Sequence, residues 1–270
     1  MNLKNKSKIG IVGVGYVGGA LKYWFDKENF ESFFYDKYKN IGSLQDLNKA
    51  DTVFICLPTP FIEENDKGFD DSVLLEVLSK IEGEKKVVIR STVLPGSTEN
   101  YQKKFPQHRF LMNPEFLRAK TAIQDFINPE RQIIGFTEKS KDVAKEIIDI
   151  LPRAPFEKII KATEAEMIKY FGNVFLATRV IFANQIYDLC RKVGIDYKAV
   201  KECAGADSRI GYSHFDIFQD DYRGYSGACL PKDTKALIQF TKKTGIEPKL
   251  FKVLEEINKK LINEDKNSFN

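Results

Sequence analysis

A chain of 270 residues, 43% hydrophobic and 12% aromatic, can bury a core and has room for one large or two ordinary domains. Its formal charge of +4 comes from mixed Lys and Asp/Glu rather than a basic block, which argues against a nucleic-acid partner. No apolar run is long enough to span a membrane, and the polar Met1–Lys8 segment leads into a stretch too short and Gly-rich for a signal peptide.

The four cysteines (Cys56, Cys190, Cys203, Cys229) lack CxxC spacing, and His108 and His214 are the two histidines. Neither a zinc site nor a disulfide framework is expected, so no metal is assigned and a reducing cytoplasm is the expected compartment.

Lys8 to Gly18 is a short apolar strand running into GxGxxG, followed by an amphipathic helix to about Lys27. In this pattern Gly13 allows a tight turn, Gly15 lets backbone approach a pyrophosphate, and Gly18 permits close helix–strand packing. Phe33–Asp36 supplies a second strand ending in an acid 18 residues past Gly18. An acid there suits a ribose 2′-hydroxyl and disfavours a 2′-phosphate, so NAD is expected over NADP. Thr52–Leu57 is an apolar strand ended by Pro58-Thr59-Pro60, and Phe61–Asp71 is a polar loop before a helix from about Ser72. Further strands end at Ser91, at Met112 and at Phe136, with a helix over Lys139–Leu151. This alternation predicts an α/β fold, a Rossmann-type doubly wound parallel sheet over residues 1–160. Thr59, Thr92 and Glu115 follow strand ends, where such sheets bind ligands; each also suits an ordinary loop or cap.

Residues 161–270 are expected to form an all-α domain built on a long helix, Thr163–Val193. Thr163-Glu164-Ala165-Glu166 has the form of a capping box. Apolar residues recur on most faces, so this helix is expected to be buried nearly all round, a spine and a subunit interface. Lys169 and Asn173, spaced i, i+4, share one face and need polar partners if buried. Asp207–Gly224 is a long aromatic and polar loop, and a last helix runs from Pro248 to about Asn263 before a frayed polar tail. Between them, Gly224–Asp233 is a small-residue turn, a cysteine and a helix start with Pro231 near its beginning. Cys229 therefore stands at a helix N-terminus, with Lys232 adding positive charge and Asp233 on the same face. These surroundings favour a nucleophilic thiolate; a small buried structural thiol is the alternative.

Taken together, GIVGVGYVG, LPTP (57–60), STVLPGST (91–98), NPEFLR (113–118), EAEMIKYFGNVFLATRV (164–180), DSRIG (207–211) and GACLPKD (227–233) resemble the UDP-glucose/GDP-mannose dehydrogenase family. NPEF and CLPKD are closer to its UDP-glucose branch. The resemblance implies a four-electron oxidation of a nucleotide-sugar 6-hydroxymethyl to a carboxylate with two NAD+, in a homodimer joined through the Thr163–Val193 helix. By position, it makes Cys229 the nucleophile, Asp233 and Thr92 proton managers, Lys169 and Asn173 oxyanion stabilisers, and Glu115 the base for thioester hydrolysis. It assigns Gly13, Gly15, Tyr16, Val17, Gly18, Asp36, Pro58, Thr59, Thr92 and Lys232 to the cofactor. To the substrate it assigns Phe116, Leu117, Arg118, Arg209, Tyr225 and Gly227, with Arg209 reaching across a dimer interface.

Three departures accompany it. Ala119 stands where the family usually has a second glutamate, and Ser226 where a glycine is usual. Family members also carry a third, C-terminal domain for the nucleotide, whereas this chain ends soon after its helical region. Two other readings fit parts of the pattern. One is a single-step 3-hydroxyacid-type dehydrogenase, which needs no cysteine; the other is a non-catalytic NAD-binding homologue.

Overall fold

The computed structural model describes residues 7–63, 68–219 and 222–268, without the side chains of 219 and 264–268. Met1–Lys8, the loop Phe61–Asp71, the loop Asp207–Gly224 and the expected tail thus lie in part outside the described residues. Two compact units divide the chain: residues 1–60 with 69–169, and residues 61–68 with 170–270.

The first unit is a seven-stranded sheet: β1 (Ile9–Val12), β2 (Ser32–Tyr35), β3 (Thr52–Ile55), β4 (Lys86–Ile89), β5 (Arg109–Met112), β6 (Arg131–Phe136) and β7 (Phe156–Lys161). Its order is β2-β1-β3-β4-β5-β6-β7. β1 and β3 are buried at every position, which is why they read as unbroken apolar runs rather than alternating ones. Helices α1 (Tyr16–Lys27), α2 (Leu44–Leu47), α3 (Ser72–Leu78), α4 (Ser97–Lys104), α5 (Ala122–Ile127) and α6 (Ala144–Ile150) connect the strands. Ile9, Ile11, Leu21, Phe25, Phe54 and Val88 pack in one core cluster with residues of α6.

The expected sheet is corrected in two ways. It is parallel through its first five strands, but β6 pairs antiparallel to β5 and parallel to β7. β7 itself, FEKIIK, is a strand that pattern does not reveal, because its positions are half-buried or exposed throughout and its charges interrupt the apolar run.

Helix α7 (Ala162–Val193) has its first two turns in this unit and the rest in the second. Its start differs from the expected capping box. Glu164, not Glu166, reaches back to the Lys161 backbone N–H at 3.0 Å, so the cap sits two residues earlier than the Thr163 reading places it. Nor is the helix buried nearly all round. Phe171, Phe175, Phe182, Leu189 and Val193 stand exposed, Phe171 at 74%, and their spacings of four and seven residues keep them on one helix face.

The second unit adds α8 (Tyr197–Gly205), the two-residue strands β8 (Phe218–Gln219) and β9 (Tyr222–Arg223), α9 (Leu230–Thr244) and α10 (Lys249–Ser268). α10 continues past the expected Asn263 end. Ala177, Val180 and Ile181 of α7 pack with Tyr225, Leu254 and Leu261. Arg223 joins β9 to α7 through Asn184 Oδ1 at 3.0 Å and Asp188 Oδ1 at 2.7 Å.

The turn between β1 and α1 leaves no room for a side chain at Gly18. A Cβ on Gly18 would lie 1.9 Å from the Gly13 carbonyl oxygen, a backbone atom that cannot move aside. Gly18→Ala is therefore expected to lower stability by at least the upper part of the ~1–3 kcal/mol range for overpacked interiors. Urea unfolding would measure this, and an unchanged midpoint would refute the packing argument.

Candidate active site residues in each unit

The β1–α1 turn has the properties a pyrophosphate needs. Gly13 has φ +83°, and a Cβ there would meet the Cys56 carbonyl oxygen at 2.7 Å. Gly15, the N-cap of α1, supplies no side-chain cap, and nothing lies within 4 Å of where its Cβ would be. Space is thus open beside Gly15 at the start of α1, where Tyr16 is exposed and Val17 half-buried, and a helix N-terminus favours an anion. Asp36 follows β2 and takes the Val14 N–H on Oδ2 at 2.8 Å and those of Tyr38 and Lys39 on Oδ1 at 3.1 Å. The acid expected for a ribose therefore also pins the glycine turn, and Lys39 Nζ donates to the Val14 carbonyl at 2.6 Å. These residues fit a dinucleotide.

The loops after β3 and β4 are laced together. Thr59 Oγ1 donates to the Thr92 carbonyl at 2.6 Å and Ser91 Oγ to that of Leu57 at 2.7 Å. Thr59 is buried, Thr92 half-buried and Pro58 exposed.

After β5, Glu115 meets Lys169. Lys169 Nζ donates to Glu115 Oε1 at 2.7 Å and to its carbonyl at 2.8 Å, while the Leu117 N–H donates to Oε2 at 2.9 Å. The two side chains are only 6% and 11% exposed. Burial alone would raise the Glu115 carboxyl, but the Lys169 ammonium, the Leu117 N–H and the Arg90 charge together hold it below its usual range. Phe116 stacks against the Arg131 guanidinium, 3.8 Å from its ring centre, and Leu117 is half-buried. Arg118 is exposed and engaged in a two-pronged pair with Asp125 at 2.6 and 3.0 Å. In contrast to these, desolvation pushes the Cys56 thiol up to about 12, which leaves it inert at neutral pH.

In the second unit, Cys229 is exposed and is the N-cap of α9. The Asp233 N–H donates to the Cys229 carbonyl at 2.9 Å, so the carboxylate stands one turn from the thiol. Asp233 is fully buried, taking Asn173 Nδ2 on Oδ2 at 2.5 Å and Lys232 Nζ on Oδ1. Lys232, expected beside the thiol and the cofactor, thus gives its charge to Asp233. Gly227 is exposed with φ +78°. Tyr225 is a buried anchor: its hydroxyl donates to Glu255 at 3.1 Å and its backbone exchanges two bonds with the Asn258 side chain. Arg209, its side chain 87% exposed, grips Asp207 at 2.6 Å. Among the described residues, no group of three or more His, Cys, Asp or Glu side chains is placed to hold a metal ion.

Pattern reasoning misses Glu166. It is fully buried, and takes the N–H of Gly96 at 2.6 Å and the N–H and hydroxyl of Thr98 at 2.7 and 2.6 Å. Burial pushes its carboxyl up to about 7. Its place three residues before Lys169, on the same helix face, is the available signal.

Removing Lys169 leaves a buried carboxylate whose desolvation only Arg90 and one N–H oppose. Lys169→Met is expected to cost about 3–5 kcal/mol at neutral pH. Because the Glu115 pKa is depressed in the folded chain, its contribution is present above the usual carboxylate range and lost as pH falls through the depressed value. The variant should therefore close on the parent as pH falls from the usual carboxylate range through that depressed value. Denaturant titrations at several pH values test this; a pH-independent gap would contradict it.

The NAD binding domain of the UDP-glucose/GDP-mannose dehydrogenase family matches residues 36–151, and the central domain of that family matches residues 163–260. A UDP-glucose 6-dehydrogenase of Bacillus subtilis is 36% identical over 79% of this chain and 47% of its own length. One from Haloferax volcanii is 32% identical over 86% of this chain and 57% of its own. The solved structure of a UDP-glucose dehydrogenase from Pyrobaculum islandicum superposes with a TM-score of 0.83 at 26% identity, over 96% of this chain and 69% of that one. The chain thus spans about half the length of the curated relatives it matches. Its two matched segments account for most of its residues, its sheet carries the glycine turn of a dinucleotide site, and the chain belongs to the UDP-glucose/GDP-mannose dehydrogenase family.

Proposed function

We propose that this chain acts as an NAD-dependent nucleotide-sugar 6-dehydrogenase, oxidising a sugar primary alcohol to a carboxylate, with UDP-glucose to UDP-glucuronate as the reaction. The observation that carries the reading is the α9 start, where exposed Cys229 precedes by one turn an Asp233 that Asn173 holds. The names of the relatives support the substrate.

Gly13, Gly15, Tyr16, Val17, Gly18 and Asp36 would hold the dinucleotide, with Pro58, Thr59 and Thr92 beside it. Bound NAD+ supplies the hydride acceptor for two oxidations, alcohol to aldehyde and thiohemiacetal to thioester. The chain's own residues manage the rest. Asp233, with Thr92 and a water, takes the hydroxyl proton in the first oxidation. The Cys229 sulfur then bonds to the aldehyde carbon, and the carbonyl oxygen gains negative charge that Lys169 and Asn173 stabilise. After the second oxidation, water adds to the thioester carbon with Glu115 taking its proton, and the carbon–sulfur bond breaks to give carboxylate and thiol. The pairing that keeps Glu115 ionised suits a base. Phe116, Leu117, Arg118, Gly227 and Arg209 contact the sugar nucleotide. Tyr225, buried as it is, serves by shaping the turn that precedes Cys229.

The exposed apolar face of α7 supports a homodimer through this helix. Phe175→Glu with Phe182→Glu should shift the sedimenting species to a monomer while the fold persists; a parent that already sediments as a monomer at micromolar concentration refutes the dimer.

NADH yield decides the activity. Two NADH per UDP-glucose are expected, with Cys229→Ser stopping before the acid. One NADH per substrate and an active Cys229→Ser variant would identify a single-step dehydrogenase, and no NADH with any sugar nucleotide would reject the reading.

A further inference from the structure

Helix α4 begins at Gly96, which is left-handed (φ +95°) and has no side chain with which to cap the N–H groups behind it. A helix start normally satisfies such donors with a local Ser, Thr, Asp or Asn. Here the cap comes from a helix 68 residues further along the chain: the Glu166 carboxylate takes the Gly96 N–H on one oxygen and the Thr98 N–H and hydroxyl on the other. All of it is within the first unit. The two amide hydrogens can only donate, so one carboxylate oxygen must remain an acceptor for each; an amide in place of the acid would set an N–H against an N–H. The loop so pinned runs from Ser91 to Thr98 and carries Thr92, whose carbonyl in turn receives Thr59. One turn further along α7, Lys169 holds Glu115. The first two turns of α7 therefore fix the loops after both β4 and β5.

We propose that Glu166 is a positioning residue: by capping α4 from a distance it sets the place of Thr92 and the Ser91–Thr98 loop relative to Lys169 and Glu115. The kinetic part of this assignment rests on the dehydrogenase reading above; the anchoring part does not. Burial pushes this carboxyl up to about 7, against the hydrogen bonds from Thr98 and Gly96 that favour its ionised form.

The test uses Glu166→Gln and the milder Thr98→Val, which removes one donor and leaves the acid. Hydrogen exchange should speed at the Gly96 and Thr98 amides in Glu166→Gln by about tenfold or more, with the Val14 amide of the glycine turn unchanged. With UDP-glucose, kcat should fall by roughly tenfold or more while the KM for NAD+ changes by less, because the glycine turn and Asp36 hold the dinucleotide independently of this loop, and Thr98→Val should move exchange and kcat in the same direction by less. Unchanged exchange at Gly96 and Thr98 overturns the anchor. Faster exchange with an unaltered kcat overturns the positioning role. Should Glu166→Gln fail to fold, Thr98→Val decides both points by the same two measurements. Should the parent oxidise no sugar nucleotide, it is the dehydrogenase reading that fails, and exchange alone decides the anchor.

Discussion

Three ionisable side chains with almost no solvent set the terms of the first unit: Glu115, Glu166 and Lys169. A charge removed from water is tolerated only where donors or a counter-charge replace the lost hydration. The start of α7 solves this twice on one face. Lys169 neutralises Glu115, whereas Glu166 has no cation among its hydrogen-bond partners and relies on three donors from the start of α4. The solvation is unequal, and the acids respond oppositely: Glu115 falls below its usual range and Glu166 rises toward neutrality. A packed apolar helix start would hold the loops less specifically, because apolar contacts lack direction and these bonds do not.

The glycine turn is legible in the sequence because two of its glycines answer a steric demand that only glycine meets. Gly13 needs a positive φ, and Gly18 packs against the Gly13 carbonyl. The strands with unbroken apolar runs are legible for a similar reason, since burial on both faces leaves no polar position. β7 is not, because half-exposed positions let charge break the period, and the reversal of β6 leaves no mark in a run that looks the same in either direction. The shifted helix cap has a different cause. Glu164 and Glu166 are the same residue type two positions apart, and only three-dimensional structure shows that one serves its own helix and the other a distant one. Local pattern carries no information about distant donors.

The same limit applies around Cys229. Chain spacing correctly puts Asp233 one turn away, because helical geometry fixes i and i+4. Spacing does not say which neighbour a charge will choose. Lys232 lies next to Asp233 in sequence and pairs with it, so its positive charge is largely spent on a carboxylate with no exposure. Cys229 itself stands at the N-cap of α9, a helix end that favours negative charge. In turn, Asn173 and Lys232 together supply the buried Asp233 with donors on both oxygens, an arrangement that orients the carboxylate as well as satisfying it.

Ala119 separates fold from chemistry in this chain. It opens a short 3-10 turn, Ala119–Thr121, and is exposed. The turn is held not from position 119 but by Asp125, which accepts from the Arg118 backbone and guanidinium and from the Thr121 hydroxyl. That set of donors drives the Asp125 carboxyl well below its usual range, so the anchor stays charged at any pH the protein would meet. A glutamate at 119 is not needed for this framework, because the backbone on either side of the position is held by Asp125. On the dehydrogenase reading proposed above, the alanine would therefore bear on the chemistry assigned to Glu115, four residues earlier, and not on the shape of the loop.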